Sequence, residues 1–360
     1  MNVLIIINSF RLGGAEKLCY DLARKLSQKP DVKVFLYSVG KVQNLLENEL
    51  FQSFSGTPVI VGAFDKPYKK QRLKTAWKIR RFCRLNNIDI VHTNGQSPDF
   101  LARCSKLFGN KSKIVVTIHN TAGYSKKQEA FFSVCTNAYT AVSKEALQYS
   151  KQDLGISKNI ELINNGIDIS TYSEIQKTND VFEILSVGRV QPQKDYIGAA
   201  QYLEKFLKQH KEVKWLIFGD CEYDESYLNE FKNECVKLGI LNSVVLKGVV
   251  TDPLEIYCHG DVFVLASPFE GFGIAFIEAI MSDHYIFARH VGAIQDIKKC
   301  GGIIHSIDDE RSPAVLEAIY SNSYHSNEVT QNKKIVSNLY ALDNMVEKYY
   351  AVYEEVLRNE

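Results

Sequence analysis

The chain has 360 residues, 45% of them hydrophobic and 24% charged, with 21 Gly and 8 Pro. This composition excludes a disordered, collagenous or disulfide-stapled chain and points to two globular domains of roughly 100–200 residues each. The net charge of +1 hides a division: residues 1–170 carry 25 basic against 13 acidic residues, a charge of +12, and residues 171–360 carry 18 against 29, a charge of −11.

No apolar run approaches the ~18–20 residues of a membrane span, which argues against an integral membrane protein. The first apolar run, Val3 to Ile7, has no basic leader or cleavage site and reads as a strand and not a signal peptide. Further strands are predicted at 32–37, 59–62, 88–92, 113–118, 138–142 and 160–163. A second series follows at 182–188, 214–219, 243–248, 261–265, 285–288 and 302–305. These runs are rich in Val and Ile and alternate little, the signature of parallel strands buried on both faces. Helical patterns between them predict βαβ units, and so one doubly wound, Rossmann-like sheet in each half, of seven and six strands. The polar stretch 168–181 shows neither period and reads as the break. A final helix at about 342–357 carries Met345, Tyr349, Val352 and Val356 on one stripe. The eight Cys form no CxxC pair and sit in apolar surroundings, which predicts reduced, buried thiols in a cytoplasmic protein without zinc.

Four segments carry chemistry. After the first strand, Gly13 and Gly14 precede a helix, baring amide groups and a positive dipole end to an anion, or else form only a tight turn. Neither GxGxxG nor GxxxxGK[ST] is present, so nothing demands a nicotinamide cofactor or a P-loop. From Lys66 to Arg84 nine basic residues stand with no acid, interleaved with Leu73, Trp77, Ile79 and Phe82. This is the pattern of an amphipathic helix on anionic headgroups, with Lys69, Lys70, Trp77, Arg80 and Arg81 as its contacts. The alternative is a solvated helix with a core-facing Trp. A lone Trp makes no stacking platform, so nucleic acid is not expected as a partner. In the second half Gly188, Arg189 and Lys194 end a strand with a planar fork and a point charge that can neutralise a diphosphate. Finally, Glu270-Gly271-Phe272-Gly273-Ile274 leads into an apolar helix that holds Glu278. A carboxylate there needs donors, such as sugar or ribose hydroxyls, and the amides of Phe272, Gly273 and Ile274 can meet phosphate.

GGAE (13–16), NNGID (164–168), VGRVQPQK (187–194), IFGD (217–220) and EGFGIAFIE (270–278) occur in that order, and the whole chain resembles the retaining glycosyltransferases of family 4. The resemblance implies an α/β GT-B fold with two domains across a cleft. Residues 1–168, with 342–360 crossing back, would face the acceptor and membrane; 169–341 would bind the donor. It implies transfer from a UDP- or GDP-sugar to a lipid-linked saccharide in bacterial surface polysaccharide biosynthesis, by a cytoplasmic enzyme held peripherally at the inner face of the membrane. Arg189 and Lys194 would bind the diphosphate, Glu270 the sugar hydroxyls, Glu278 the ribose, and Val250 the base through its backbone. Gly14 would admit phosphate to the first helix, and Asn165 would mark the return to the hinge. His119, at a strand end near the anomeric centre in the family, is the catalytic candidate together with Glu270; His92 is a weaker one. Asp195, where the family has Gly, and Cys221 depart from its pattern. No Asp-x-Asp pair is present, so metal independence is expected, with no cofactor beyond the nucleotide-sugar substrate. A nucleotide-sugar 2-epimerase of the same architecture, or a non-catalytic sugar- or nucleic-acid-binding protein, are the competing readings.

Overall fold

The computed structural model describes residues 1–10, 14–40, 57–64, 71–119, 123–157, 159–177 and 181–358. The chain divides into two compact units, Met1–Ile167 with Leu342–Glu360, and Asp168–Ala341.

The first unit contains β1 (Asn2–Ile7), α1 (Gly14–Leu26), β2 (Lys33–Ser38), β3 (Ile60–Ala63), α2 (Arg72–Leu85), β4 (Ile90–Asn94), α3 (Gln96–Leu107), β5 (Lys113–Ile118), α4 (Lys126–Phe132), β6 (Ala138–Ala141), α5 (Lys144–Gln152) and β7 (Ile160–Leu162). The strands form one parallel sheet in the order β3-β2-β1-β4-β5-β6-β7. Val3, Ile5 and Ile7 of β1 face one layer, with Leu18, Leu22 and Leu26 of α1; Leu4 and Ile6 face the other, with Ile79, Cys83 and Leu101. This two-sided burial explains the unbroken apolar strand sequences.

The second unit contains α6 (Ile169–Ser173), β8 (Glu183–Val187), α7 (Tyr196–Gln209), β9 (Lys214–Phe218), α8 (Glu225–Lys237), β10 (Val244–Gly248), α9 (Pro253–Tyr257), β11 (Val262–Leu265), α10 (Ile274–Met281), β12 (Tyr285–Ala288), α11 (Ala293–Lys299), α12 (Ser312–Tyr320) and α13 (Glu328–Tyr340). Its sheet is parallel, in the order β10-β9-β8-β11-β12.

The last helix, α14 (Leu342–Arg358), belongs to the first unit and lays Met345, Tyr349, Val352 and Val356 on the layer that holds α1. Each such side chain contributes about 1.5–3 kcal/mol on full burial. Tyr353 of α14 hydrogen-bonds the Nδ1 of His92 at 2.6 Å, while His92 Nε2 meets the Thr117 hydroxyl at 2.7 Å. Both ring nitrogens are therefore engaged inside the core. Burial, with His119 as a lesser influence, pulls the imidazole down to about 3. His92 is a structural residue, not a cleft group.

Several sequence expectations are corrected. Residues 302–305 form no strand: a single bridge joins Phe287 to His305. The Asn332 side chain takes both the amide (2.9 Å) and the carbonyl (2.7 Å) of Ile303, which a ladder would otherwise use. The stretch 168–181 begins with α6 and buries Tyr172. All eight cysteines are free, but only Cys19, Cys83, Cys104 and Cys235 are buried; Cys300 is exposed just beyond α11.

Trp77 is 44% exposed and does not face the core; Leu73 and Leu85 of α2 are more exposed still. Thr75, Ala76, Ile79 and Cys83 form the buried face of α2. Phe82 leaves the basic face to pack against Phe35, Tyr37 and Phe64, with ring centroids 4.6–5.6 Å apart. Arg81 lies over the Trp77 ring at 5.8 Å, and Arg80 is half-buried. Lys69 and Lys70 lie outside the described residues, as does Gly13.

Candidate active site

In the second sheet the strand order reverses between β8 and β11, the place where open α/β sheets leave a ligand crevice at the strands' carboxyl ends. The loops that leave these two strands carry Gly188 to Lys194 and Ser267 to Gly273. Gly219, at the end of β9, has φ +146°, and a Cβ there would stand 2.1 Å from the Gly188 carbonyl oxygen. Only glycine permits that approach, which brings the β8 and β9 loops together.

Lys194 ends a 3-10 turn (Pro192–Lys194), and its ammonium donates to Glu270 Oε1 at 2.6 Å. The two side chains are 16% and 8% exposed, so the pair is largely removed from water. A lysine has three donors, so two remain for an anion. Arg189 stacks its guanidinium over Tyr223 at 5.0 Å. Asp195 takes a left-handed conformation, φ 47°, a backbone region that glycine adopts without strain. Its carboxylate caps α7 by accepting from the Gly198 amide at 3.0 Å and pairs with Arg289 at 2.5 Å. Lys194 and Asp195 thus tie one turn to the loops after β11 and β12.

α10 starts at Ile274, with Gly273 in left-handed conformation before it. The first amides of that turn have no acceptor within the helix and suit an anion. Phe272 stands before the helix; its ring packs against Tyr340 and its carbonyl accepts from Ala293 at 3.0 Å. Its side chain is structural. Val250 is half-buried in the loop after β10.

Glu278 is 7% exposed, midway along α10. The Tyr172 hydroxyl donates to its Oε1 at 2.5 Å and the Tyr257 hydroxyl to its Oε2 at 2.6 Å. Burial, with Glu278 next, holds the Tyr257 phenol well above its ordinary range. Sequence reasoning missed both tyrosines and Arg289. Tyr172 lies 106 residues from Glu278, and no local period marks it.

In the first unit, Gly14 is the exposed first residue of α1, with Glu16 in the first turn. His119 follows β5, and its Nε2 meets Asn94 Oδ1 at 2.8 Å at the end of the adjacent β4. Burial lowers its pKa to about 4, so it is neutral at physiological pH. A neutral imidazole can donate from one nitrogen and accept at the other. Asn165 is also in this unit, buried just before the crossover.

The profile of Glycosyltransferase Family 4 matches residues 12–171, and that of Glycosyl transferases group 1 matches residues 168–335. A Campylobacter jejuni N-acetylgalactosamine-N,N'-diacetylbacillosaminyl-diphospho-undecaprenol 4-alpha-N-acetylgalactosaminyltransferase is 24% identical over 86% of this chain and 87% of its own. A second C. jejuni enzyme, GalNAc-alpha-(1->4)-GalNAc-alpha-(1->3)-diNAcBac-PP-undecaprenol alpha-1,4-N-acetyl-D-galactosaminyltransferase, is 22% identical over 99% of both chains. Anabaena HepE, solved in complex with UDP and glucose, shares the fold at a TM-score of 0.81 and 16% identity, over 98% of this chain and 99% of its own. Two parallel α/β units of this kind are the GT-B architecture. The chain belongs to the family 4, group 1 glycosyltransferases and is a glycosyltransferase.

Proposed function

We propose that the protein transfers a sugar, with retention, from a UDP- or GDP-sugar to a lipid-linked saccharide in bacterial surface polysaccharide assembly. The second unit binds the donor and the first faces the acceptor. The observation that carries this reading is the convergence of Arg189, the Lys194–Glu270 pair and the start of α10 at the sheet's switch point. Breaking the bond between the anomeric carbon and phosphate oxygen leaves negative charge on the nucleotide diphosphate. Arg189, Lys194 and the α10 amides are placed to take up that charge. The acceptor oxygen forms the new bond on the same face, and its proton passes to the departing phosphate. Glu270, held by Lys194, orients sugar hydroxyls and does not attack. Glu278 accepts from ribose hydroxyls, Val250 meets the base, and neutral His119 contacts the reacting sugar. Gly14 admits phosphate to α1. The protein's own cations suffice for the leaving group, so activity should survive chelation of divalent metal.

The acceptor reading rests on the relatives named for undecaprenol-linked saccharides and on α2. Among the described residues no helix is long and apolar enough to cross a membrane. Leu73, Trp77 and Leu85 are exposed beside Lys74, Arg81 and Arg84, which suits an anionic bilayer better than a nucleic acid. In this reading the basic, partly apolar face of α2 brings the enzyme to the cytoplasmic face of the membrane. A panel of nucleotide-sugars with an undecaprenyl-diphosphate-linked acceptor tests the proposal. Acceptor-dependent release of nucleotide diphosphate is expected; release of free sugar alone, whatever the acceptor, would refute it.

A further inference from the structure

Arg289 follows directly on β12, and its guanidinium joins three segments of the second unit. Its Nη1 donates to Asp195 Oδ2 at 2.5 Å and to the Ala266 carbonyl, while its Nε meets Asp308 Oδ1 at 3.2 Å. Asp195 comes straight after the turn that ends in Lys194, and Ala266 opens the loop from β11 to Glu270. The Lys194 ammonium and the Glu270 carboxylate therefore stand on two loops that one guanidinium fastens to each other. The sequence around Asp195 accepts local costs to make this contact. A serine or threonine would cap α7 as well as an aspartate, but only the carboxylate has a second, charged oxygen for Arg289. Gly198 weakens the first turn of α7, yet a Cβ there would stand 2.5 Å from Asp195 Oδ2, the oxygen that Arg289 takes. Gly188 likewise leaves room for the Lys194 stem, since a Cβ there would lie 2.9 Å from Lys194 Cε.

From this we infer that Arg289 is a positioning residue of the donor site, which holds the Lys194 turn against the Glu270 loop through Asp195 and Ala266. The inference rests on the reading that Lys194 binds the diphosphate, and it adds the pair that sets where the ammonium stands. A point charge on a flexible stem gives most when its backbone is fixed before the anion arrives. Without the Asp195–Arg289 pair the turn loses its tie to the β11 loop, and Lys194 no longer meets the second phosphate in register. The loss should fall on nucleoside diphosphates and spare monophosphates. It should also vanish when Lys194 is absent, because Arg289 acts only through it.

The test is calorimetric binding of UDP and UMP, and of GDP and GMP, to the full chain. The proteins are wild type, Arg289→Gln, Asp195→Asn, Lys194→Ala and Lys194→Ala/Arg289→Gln, each checked by thermal melting. Asp195→Asn keeps an oxygen for the Gly198 amide but breaks the charged pair, so a folding defect in Arg289→Gln leaves it to decide. Wild type should prefer the diphosphate of the base it takes about 10-fold or more, the scale of one or two charge-assisted hydrogen bonds. Arg289→Gln, Asp195→Asn and Lys194→Ala should each narrow that preference to about 3-fold or less while binding the monophosphate as wild type does. The double variant should match Lys194→Ala. If Lys194→Ala narrows the preference and the folded Arg289 and Asp195 variants keep it, or lose affinity equally for both nucleotides, the pair is structural and this inference alone falls. If the double variant loses further preference, Arg289 touches phosphate itself and is not a positioning residue. If wild type shows no preference for a diphosphate, or Lys194→Ala keeps all of it, the diphosphate reading of Lys194 fails first and takes the inference with it.

Discussion

Replacing Lys194 separates chemistry from structure. Lys194→Ala removes a cation 2.6 Å from Glu270 and leaves that carboxylate, 8% exposed, without its partner. Breaking a fully buried pair costs about 3–5 kcal/mol. Lys194 is 16% exposed, so water can reach the vacated space, and we expect about 1–3 kcal/mol of lost stability after that discount. The loss of one cation opposite a departing diphosphate should raise the barrier by about 2–4 kcal/mol, roughly 30- to 1000-fold in turnover. The double variant Lys194→Ala/Glu270→Gln removes the stranded charge and should recover much of the stability, but not the turnover. Thermal melts and acceptor-dependent release of nucleotide diphosphate measure the two effects. A folded Lys194→Ala protein within about threefold of wild-type turnover would refute the assignment. So would a double variant that regains wild-type activity, since Lys194 would then serve only to neutralise Glu270.

Asp195→Gly and Asp195→Ala both lose the Arg289 pair, but Asp195→Gly should be the milder change, because glycine accepts the left-handed φ of 47° and costs a cap only a few tenths of a kcal/mol. Asp195→Ala should lower the melting temperature more, through the lost cap and the strained backbone, about 1–2 kcal/mol together; an equal effect of the two would contradict the capping account. Reversing Arg81 and Arg84 to Glu and changing Trp77 to Ser should release the protein from vesicles of anionic lipid at physiological salt, since each well-placed cation contributes about 1 kcal/mol there. Donor hydrolysis should persist, and wild-type protein that stays in the supernatant with anionic lipid would rule out the membrane face. Burial raises the Asp99 carboxyl to about 7 from its ordinary 3.8. The folded state therefore holds a proton that the unfolded state releases, and this contribution is lost as pH rises from about 4 through 7. Asp99→Asn should gain stability relative to wild type across that window; a difference independent of pH would show that Asp99 titrates normally.

The strand cores were legible because buried parallel strands need uninterrupted Val and Ile, as in Val3–Ile7 and Lys113–Ile118. The same rule fails at 302–305, where a side chain from α13 replaces the ladder. Lys194, Glu270 and Glu278 were visible as residue types in strand-end loops and an apolar helix. Their partners were not: Lys194 and Glu270 are 76 residues apart, and only the folded sheet brings them together. The stripe on α14 announced its burial, but that Tyr353 would complete the hydrogen bonding of His92 could not be read from either segment. Trp77 shows the limit of composition, since spacing alone did not say which face of α2 the core would take.

The most direct measurement of the central claim is the anomeric configuration of the product, read by NMR after incubation with a nucleotide-sugar panel and an undecaprenyl-diphosphate-linked saccharide. The account predicts that one donor yields a lipid-linked glycoside with the donor's own α configuration, together with one nucleotide diphosphate per linkage. Inverted product, or an epimerised sugar formed without acceptor, would contradict it.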